Sequence, residues 1–187
     1  MVVTMAGKNV CCTLVGDGMV GKTCLAKVFT DKTFPDQYVA TVQDSYSGQA
    51  WFAGDQYSIT ITDSAGEHEG SDVRRVSYDK SDVILLCYSV LDRESYASLR
   101  THWSREVGSL AKRCPVLVVA LQTDKRTSRH VTTTEGRSMS KSIKANGFIE
   151  CSAKNVNDVK DVFENVVRMC LRNRKRKANL LKRILGR

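Results

Sequence analysis

A glycine-rich loop between a short apolar run and a helix-forming run constrains this chain more than any other feature. The loop covers residues 16–23 and fits the pattern G-x-x-x-x-G-K-[ST]. Residues 10–15 before it are apolar and predicted to form a strand, and residues 23–29 after it are predicted to begin a helix. An ordinary glycine turn also fits the spacing, but the strand and helix around it favour a phosphate-binding P-loop. In a P-loop, the backbone N–H groups point inward and form an anion-binding nest at the N-terminus of the helix.

Individual residues of the loop have different expected roles in binding a polyphosphate. Gly16, Gly18 and Gly21 let the backbone approach the phosphates because no Cβ stands in the way. Lys22 supplies a positive charge to the outer phosphates, and Thr23 offers a hydroxyl to Mg²⁺. The loop therefore predicts a nucleoside triphosphate site without saying which base is bound.

Strand-like and helix-like runs alternate along the rest of the chain. Continuous apolar strands predict parallel pairing, so the pattern predicts an α/β fold with helices on both faces of the sheet. We expect Thr133 or Thr134 to cap the third predicted helix and Asn157 to cap the last one. Residues 30–50 and 63–80 are predicted to be polar loops that reach a bound nucleotide. The predicted strands are 10–15, 57–62, 83–90, 116–121 and 148–151, and the predicted helices are 23–29, 93–107, 134–145 and one beginning at Asn157.

Further motifs follow the strands and narrow the choice of base. Asp63 and Gly66 fit D-x-x-G, in which the Asp reaches Mg²⁺ through water and the Gly N–H meets the terminal phosphate. Thr41 lies in the first polar loop, where it can bind Mg²⁺ and the γ-phosphate. A buried carboxylate at Asp124 accepts hydrogen bonds from guanine N1–H and N2–H, whereas adenine N1 is an acceptor and leaves the charge unpaired. Residues 152–154 (Ser-Ala-Lys) follow the last strand, where a backbone N–H can meet guanine O6.

Together these motifs make the chain resemble a Ras-superfamily small GTPase, and within that superfamily a Rac-like, atypical member of the Rho family. The resemblance covers residues 7 to about 170. It implies a P-loop GTPase G domain, which is an α/β fold with a six-stranded, mostly parallel sheet between five helices, the second strand being antiparallel. It also implies GTP hydrolysis with Mg²⁺, and effector, exchange-factor and GTPase-activating (GAP) proteins as partners. The resemblance rests on residues 16–25, 34–38, 121–124 and 150–154 and on Trp103 with Glu106 and Val107.

The resemblance assigns roles to individual residues. The expected catalytic residues are Lys22, Thr41, Gly66 and Glu67, and the expected Mg²⁺ ligands are Thr23, Thr41 and, through water, Asp63. Phe34 is expected to pack against the guanine edge and Tyr38 to cover the phosphates. The expected nucleotide-binding residues are Gly16, Asp17, Gly18, Met19, Val20, Gly21, Lys22, Thr23, Cys24, Phe34, Tyr38, Thr41, Gly66, Gln122, Asp124, Ser152, Ala153 and Lys154.

The chain departs from the family pattern at several positions. Glu67 stands where the family has the glutamine that orients the attacking water, so we expect altered and slower hydrolysis. Leu121 replaces an Asn or Thr that ties the base loop to the P-loop, which predicts faster nucleotide exchange. Gln43 and Gly70 replace aromatic residues of the two switch loops and change the surface offered to effectors. Gly18 keeps the approach of a GAP arginine open. The insert helix of Rho proteins and a C-a-a-X prenylation box are not expected.

The charge is concentrated at the C-terminus. Nine of the 29 basic residues lie from Arg168 onward and no acidic residue follows Glu164, so 20 basic residues balance 20 acidic ones before that point. We divide the chain into a G domain, 1–170, and a basic amphipathic tail, 171–187, which suits an anionic membrane surface. Nuclear import, RNA contact or no specific role are the alternatives for this tail.

The seven cysteines predict a reduced, cytoplasmic protein, with Cys170 as a packed thiol. We expect a monomer that lies at the inner face of the plasma membrane or endomembranes and does not bind nucleic acid. Trp51 and Trp103 are predicted to pack in the core or beside the switch loops. The main hypothesis is that the protein is a guanine-nucleotide switch that hydrolyses GTP slowly and signals to effectors of the cytoskeleton, polarity or migration. Two alternatives remain. One is a GTP-binding scaffold that scarcely hydrolyses GTP, and the other is a protein that acts mainly by binding a membrane or nucleic acid through its tail and uses the G domain only for control.

Overall fold

The structure is a computed structural model that describes residues 8–35, 43–66, 71–111 and 113–186. Six strands form one sheet in the order β2-β3-β1-β4-β5-β6. β2 pairs antiparallel with β3, and the other neighbouring strands pair in parallel. The strands are β1 (Asn9–Val15), β2 (Gln43–Phe52), β3 (Asp55–Ser64), β4 (Val83–Ser89), β5 (Val116–Leu121) and β6 (Gly147–Cys151).

Helices cover both faces of this sheet. A π-helical segment, Leu99–Trp103, joins α3 to α4, so residues 93–110 form one continuous helix. Counted this way, the described residues form five α-helices and one short 3-10 helix, Thr123–Lys125. The predicted six-stranded, mostly parallel α/β fold is therefore confirmed. The helices are α1 (Lys22–Asp31), α2 (Ser71–Lys80), α3 (Arg93–Ser98), α4 (Ser104–Leu110), α5 (Thr133–Ser142) and α6 (Val156–Ile184).

Two apolar cores flank the sheet because every residue of β4 is buried and successive side chains point to opposite faces. On one face α1 and α6 meet, and the rings of Phe29 and Phe163 stack with centroids 3.9 Å apart. On the other face Trp103, the last residue of the π-helical segment, and Tyr88 of β4 are fully buried in the second core. The carboxyl ends of the parallel strands meet at one edge of the sheet, where ligands bind in this architecture.

Two segments that the sequence predicts as loops are regular structure. Residues 43–50 belong to β2, which pairs with β3 over ten residues although its own sequence is polar. Residues 71–80 form α2, whose buried side chains are Arg74, Ser77 and Tyr78 rather than an aliphatic stripe. The prediction of loops over 30–50 and 63–80 was therefore wrong for these parts. Pairing with β3 stabilises the polar strand β2, and burial of polar side chains stabilises α2.

The helix caps differ from the predicted ones by one or two residues. Thr132, not Thr133 or Thr134, caps α5 and forms a capping box with Glu135, and α5 ends at Ser142. Asn155, not Asn157, caps α6 and accepts a hydrogen bond from the Asn157 N–H. In both cases the chain holds more than one candidate cap residue within three positions, and the cap is the one with extended φ and ψ.

Candidate functional site

The P-loop turns sharply after β1, and glycines make the turn possible. Gly16 has φ +144°, and a Cβ there would lie 2.1 Å from the carbonyl oxygen of Cys87. Gly21 has φ +105° at the start of α1, and Met19 takes the left-handed conformation with φ 61°. Residues with a Cβ rarely adopt such angles, and Met19 is the non-glycine residue of this loop that does. The loop therefore has the backbone expected of a phosphate cradle.

Lys22 lies inside this loop with only 6% of its surface exposed. Its Nζ donates hydrogen bonds of 2.7 Å to the carbonyl oxygens of Gly16 and Asp17, which fix the ammonium group against the loop. Burial lowers the pKa of Lys22, and the carboxylates of Asp63 and Asp17 act against that shift. A buried ammonium group favours an anionic ligand because the ligand restores the charge balance.

Thr23 and Asp63 meet beside the P-loop. The Thr23 Oγ1 donates a 2.6 Å hydrogen bond to Oδ2 of Asp63, whose side chain is fully buried at the carboxyl end of β3. A hydroxyl and a carboxylate are the oxygen ligands that Mg²⁺ prefers, either directly or through water. The pair therefore fits the metal that the sequence predicts.

Gly66 presses against the P-loop from the end of the D-x-x-G motif. A Cβ on Gly66 would lie 2.1 Å from the Gly18 nitrogen and 2.4 Å from the Asp17 carbonyl carbon. Glycine is therefore required sterically at this position. The structure brings the D-x-x-G motif and the P-loop together, as the sequence predicts.

The predicted base-binding residues gather around a separate pocket at the carboxyl ends of β5 and β6. Ser152 Oγ donates a 2.9 Å hydrogen bond to Oδ1 of Asp124, and Lys154 Nζ lies 3.9 Å from the other oxygen. Lys154 Nζ also lies 5.8 Å from the ring centre of Phe34. The Asp124 side chain is 30% exposed, so it is not the fully buried carboxylate that the sequence predicts. The pocket is lined by Gly21, Cys24, Phe34, Leu121, Gln122, Asp124, Lys125, Ala153 and Lys154.

A polar link between the base loop and the P-loop is present, although Leu121 does not supply it. Leu121 is buried in the core, and the next residue, Gln122, takes over the link. Gln122 Nε2 donates a 3.2 Å hydrogen bond to the Met19 carbonyl, and its Oε1 accepts a 2.8 Å bond from Ser89 Oγ. The loss of a polar tether that Leu121 predicts is therefore compensated by its neighbour.

Sequence reasoning missed two residues that support the base loop. Ser89 orients Gln122 from the end of β4, and Oδ2 of Asp158 accepts a 2.9 Å hydrogen bond from the Ser152 N–H. Ser89 could have been found from its position at the carboxyl end of a buried strand. Asp158 could have been found in the first turn of α6, where acidic residues are favoured.

Some predictions fall outside the described residues or fail within them. Tyr38, Thr41 and Glu67 lie outside the described residues, so their roles stay predictions. Trp51 is 58% exposed, and its predicted packing was wrong. The other packing predictions are confirmed, because Trp103 is fully buried and Cys170 is 1% exposed.

The predicted tail is helical as far as Ile184, as an unbroken continuation of α6. Arg174 Nη2 donates to the Asn9 carbonyl at 2.7 Å and to Asp82 Oδ2 at 2.9 Å, which holds the start of this segment against the sheet. Beyond it the helix is exposed, including Leu180, Leu181, Ile184 and Leu185, which are 57–72% exposed. Among the helices of the described part of the chain, none combines the length and the apolar character needed to cross a membrane.

Comparison with known proteins identifies the family to which the chain is similar. A sequence profile described as the Ras family matches residues 11–172. The Ras-like GTP-binding protein RhoL of Drosophila melanogaster is 37% identical over 159 residues, which cover 83% of this chain and 84% of RhoL. The Rho-related GTP-binding protein RhoH is 37% identical in Mus musculus and 39% in Bos taurus, each over 171 residues that cover 89% of this chain and 90% of RhoH.

Proposed function

Because the chain belongs to the Rho family of Ras-superfamily small GTPases, we propose that it is a GTP-binding switch. It binds GTP and GDP with Mg²⁺, hydrolyses GTP slowly and contacts effectors in the GTP-bound state. Exchange-factor and GAP proteins set the balance between the two states, and family membership suggests the cytoskeleton, polarity or migration as the output. The observation that carries the proposal is Lys22, which is buried and held by two carbonyl oxygens of the P-loop.

The phosphate end of the site uses charge and position. Lys22 and the backbone of the P-loop would bind the phosphates, while Thr23, Asp63 and, as a proposal from sequence, Thr41 would hold Mg²⁺. When bound, Mg²⁺ neutralises phosphate charge. Gly66 lies against the P-loop, so a γ-phosphate placed there would contact the D-x-x-G loop and order it. This contact distinguishes GTP from GDP.

The base end of the site favours guanine. Asp124 is held by Ser152 Oγ and faces a pocket between Phe34 and Lys154. We expect the purified protein to carry guanine nucleotide and to bind GTP at least 100-fold more tightly than ATP, by about 3 kcal/mol, because adenine leaves the carboxylate unpaired. Asp124→Asn should lose most of this preference. Equal binding of ATP and GTP by the wild type, measured by calorimetry in Mg²⁺, would contradict the proposal.

The proposed slow hydrolysis depends on the residue at the position where the family has a water-orienting glutamine. We place Glu67 in that role; it can accept a proton or hydrogen bond from water, but it adds negative charge beside a developing anion and lacks an amide N–H₂. Catalysis then rests on positioning and on charge neutralisation by Lys22, Thr23 and the P-loop backbone. We expect Glu67→Gln to hydrolyse GTP faster than the wild type.

A hydrolysis-impaired GTP-binding scaffold is the second candidate, and Glu67 is the residue that favours it. Single-turnover assays of phosphate release, with and without a Rho-type GAP, separate the two candidates. An acceleration of about 10³–10⁵ by the GAP supports the switch, because Gly18 leaves room for an arginine finger. Absence of phosphate release in both assays, with GTP bound, supports the scaffold.

We also propose that the exposed end of α6 binds an anionic membrane surface. Four apolar residues project from the helix, and Lys182 and Arg183 lie between them in sequence. Each basic residue near such a surface contributes about 1 kcal/mol, screened by salt. We expect the protein to bind vesicles that contain anionic lipid. The affinity should fall as the salt concentration rises from about 0.05 to about 0.5 M, because salt screens the attraction between the charges. Leu181→Glu should reduce the binding. If wild type and variant pellet equally with the vesicles, or if the protein prefers RNA to vesicles, the result would favour nuclear import, RNA contact or no specific role for the tail.

A further inference from the structure

The P-loop carries a negative side chain at a position where negative charge is unfavourable. Asp17 lies between Gly16 and Gly18, and its own carbonyl oxygen accepts a hydrogen bond from Lys22 Nζ. Phosphate bound by this loop would lie close to the Asp17 carboxylate. Like charges at short range repel each other, most strongly where water is partly excluded. The fold therefore needs a group that controls where this carboxylate lies.

Trp103 makes the contact that meets this need. Its indole Nε1 donates a 2.6 Å hydrogen bond to Oδ1 of Asp17, across 86 positions of sequence. Trp103 is fully buried, so the indole is fixed by the core around it and cannot follow the loop. A hydrogen bond to an ionised acceptor is stronger than one between neutral groups.

A buried polar cluster holds Trp103 in place from the side of α2. The Arg74 guanidinium carbon lies 5.0 Å from the centre of the Trp103 ring. Arg74 donates to both carboxylate oxygens of Glu106, at 2.8 and 2.7 Å, and Tyr78 donates to the same carboxylate at 2.6 Å. Arg74 and Glu106 are 4% and 7% exposed, so the cluster is largely shielded from water. His102 adds an edge-to-face contact with the indole, the ring centres being 4.7 Å apart.

We propose that Trp103 is a positioning residue for nucleotide binding, which holds the Asp17 carboxylate on the side of the P-loop that faces the helix Arg93–Leu110. This inference rests on the proposed guanine-nucleotide site. Without the indole N–H, the carboxylate loses the contact that draws it toward Trp103, so it can lie closer to the phosphates, and repulsion weakens the binding. Arg74 lies on α2 and packs against Trp103, so the position of the Asp17 carboxylate also depends on the position of α2.

The test uses Trp103→Phe, which keeps an aromatic ring and removes the N–H. We expect GDP and GTP to dissociate about tenfold faster from this variant, as the loss of a hydrogen bond to a charged group predicts. In an Asp17→Asn background, Trp103→Phe should accelerate dissociation less than about threefold, because no charge remains to be released. Equal acceleration in both backgrounds would mean that Trp103 acts only through packing, and would overturn the inference.

Trp51→Phe is the matched control, because Trp51 is exposed and lies outside the site. It should leave nucleotide dissociation unchanged. The chain has two tryptophans, so this variant also identifies the indole N–H resonance of Trp103 by NMR. That resonance should lie downfield in the wild type and move upfield in Asp17→Asn. A resonance that does not move would show that the hydrogen bond is absent.

The outcomes separate this inference from the proposed function. A wild type that binds no guanine nucleotide rejects the proposed function and the inference together. A wild type that binds, with no coupling between positions 17 and 103, rejects the inference alone. If Trp103→Phe does not fold, benzothienylalanine incorporated at position 103 replaces the N–H by sulfur in a ring of the same shape, and the same comparison with Asp17→Asn decides the question.

Discussion

At the scale of single residues, the glycines of the P-loop differ in how much space the fold leaves them. A Cβ on Gly16 would overlap the Cys87 carbonyl, whereas a Cβ on Gly18 meets nothing within 4 Å. We expect Gly16→Ala to lower the free energy of unfolding by more than about 2 kcal/mol, through strain and steric overlap. Gly18→Ala should change it by less than about 0.5 kcal/mol. Urea unfolding of both variants tests this; similar losses would contradict the described loop.

Glu106 illustrates how a buried charge depends on its partners. Replacing it by Ala leaves the Arg74 guanidinium buried without its carboxylate, which we expect to destabilise the fold by about 3–5 kcal/mol. The control is Glu164→Ala, which removes the more exposed ion pair with Lys160 and should cost less than about 1 kcal/mol. Chemical unfolding at neutral pH compares the two. A small loss at Glu106 would mean that water reaches Arg74.

The same carboxylate predicts a dependence of stability on pH. Burial by itself raises the pKa of Glu106, but the hydrogen bonds from Arg74 and Tyr78 outweigh it and lower the pKa below its usual value of 4.5. A lowered pKa in the folded state means that the stabilisation is complete above the pKa of the unfolded chain and is lost as the pH falls through the folded value. The difference in unfolding free energy between wild type and Glu106→Gln should therefore shrink below pH 4.5. A constant difference down to pH 3 would contradict this prediction.

Single residues also show what the sequence could and could not predict about the site. Lys22, Thr23 and Asp63 are adjacent in space because a motif fixes their place on a loop and a strand end. Trp103 was predicted to pack, but its hydrogen bond to Asp17 joins positions 86 residues apart and follows from tertiary packing. Local patterns carry no information about such a pair.

At the scale of elements, the start of α6 offers a matched pair of variants. Asn155 caps the helix by accepting the Asn157 N–H, while the Asn157 side chain is exposed in the first turn. Asn155→Ala should lower the unfolding free energy by about 1 kcal/mol, and Asn157→Ala by less than about 0.5 kcal/mol. Equal effects, measured by urea unfolding, would contradict the assigned cap.

The elements that sequence analysis missed share a physical cause. The polar strand β2 exists because β3 pairs with it over ten residues, and Gly48 lets the ring of Phe29 pack closely against it. The helix α2 buries Arg74 and Tyr78 through hydrogen bonds rather than through an apolar stripe. In contrast, β4 and β5 were predicted nearly to the residue because their side chains are buried on both faces. Apolar periodicity identifies elements that bury carbon, and it misses those that bury polar groups.

At the scale of the whole molecule, the described contacts between the basic C-terminal segment and the neutral body lie at its start, at Leu171, Asn173 and Arg174. Arg174 bonds to Asp82 and to the Asn9 carbonyl, whereas residues 178–186 are exposed. Truncation after Lys177 should leave the unfolding free energy within about 0.5 kcal/mol of the wild type. Arg174→Ala should lower it by about 1 kcal/mol and increase hydrogen exchange around residues 170–178. A larger loss on truncation would indicate that the exposed end packs on the body.

The 29 residues of α6 make a single rod, roughly 44 Å long at 1.5 Å per residue. One end begins at Asn155 and holds the Ser152 amide through Asp158, beside the pocket proposed for guanine. The other end is the basic amphipathic segment. Between these ends, residues 159–170 pack against the sheet and Arg174 bonds to Asn9 and Asp82. The sheet therefore separates the two ends mechanically, so the exposed segment can change its surroundings while the base loop keeps its place.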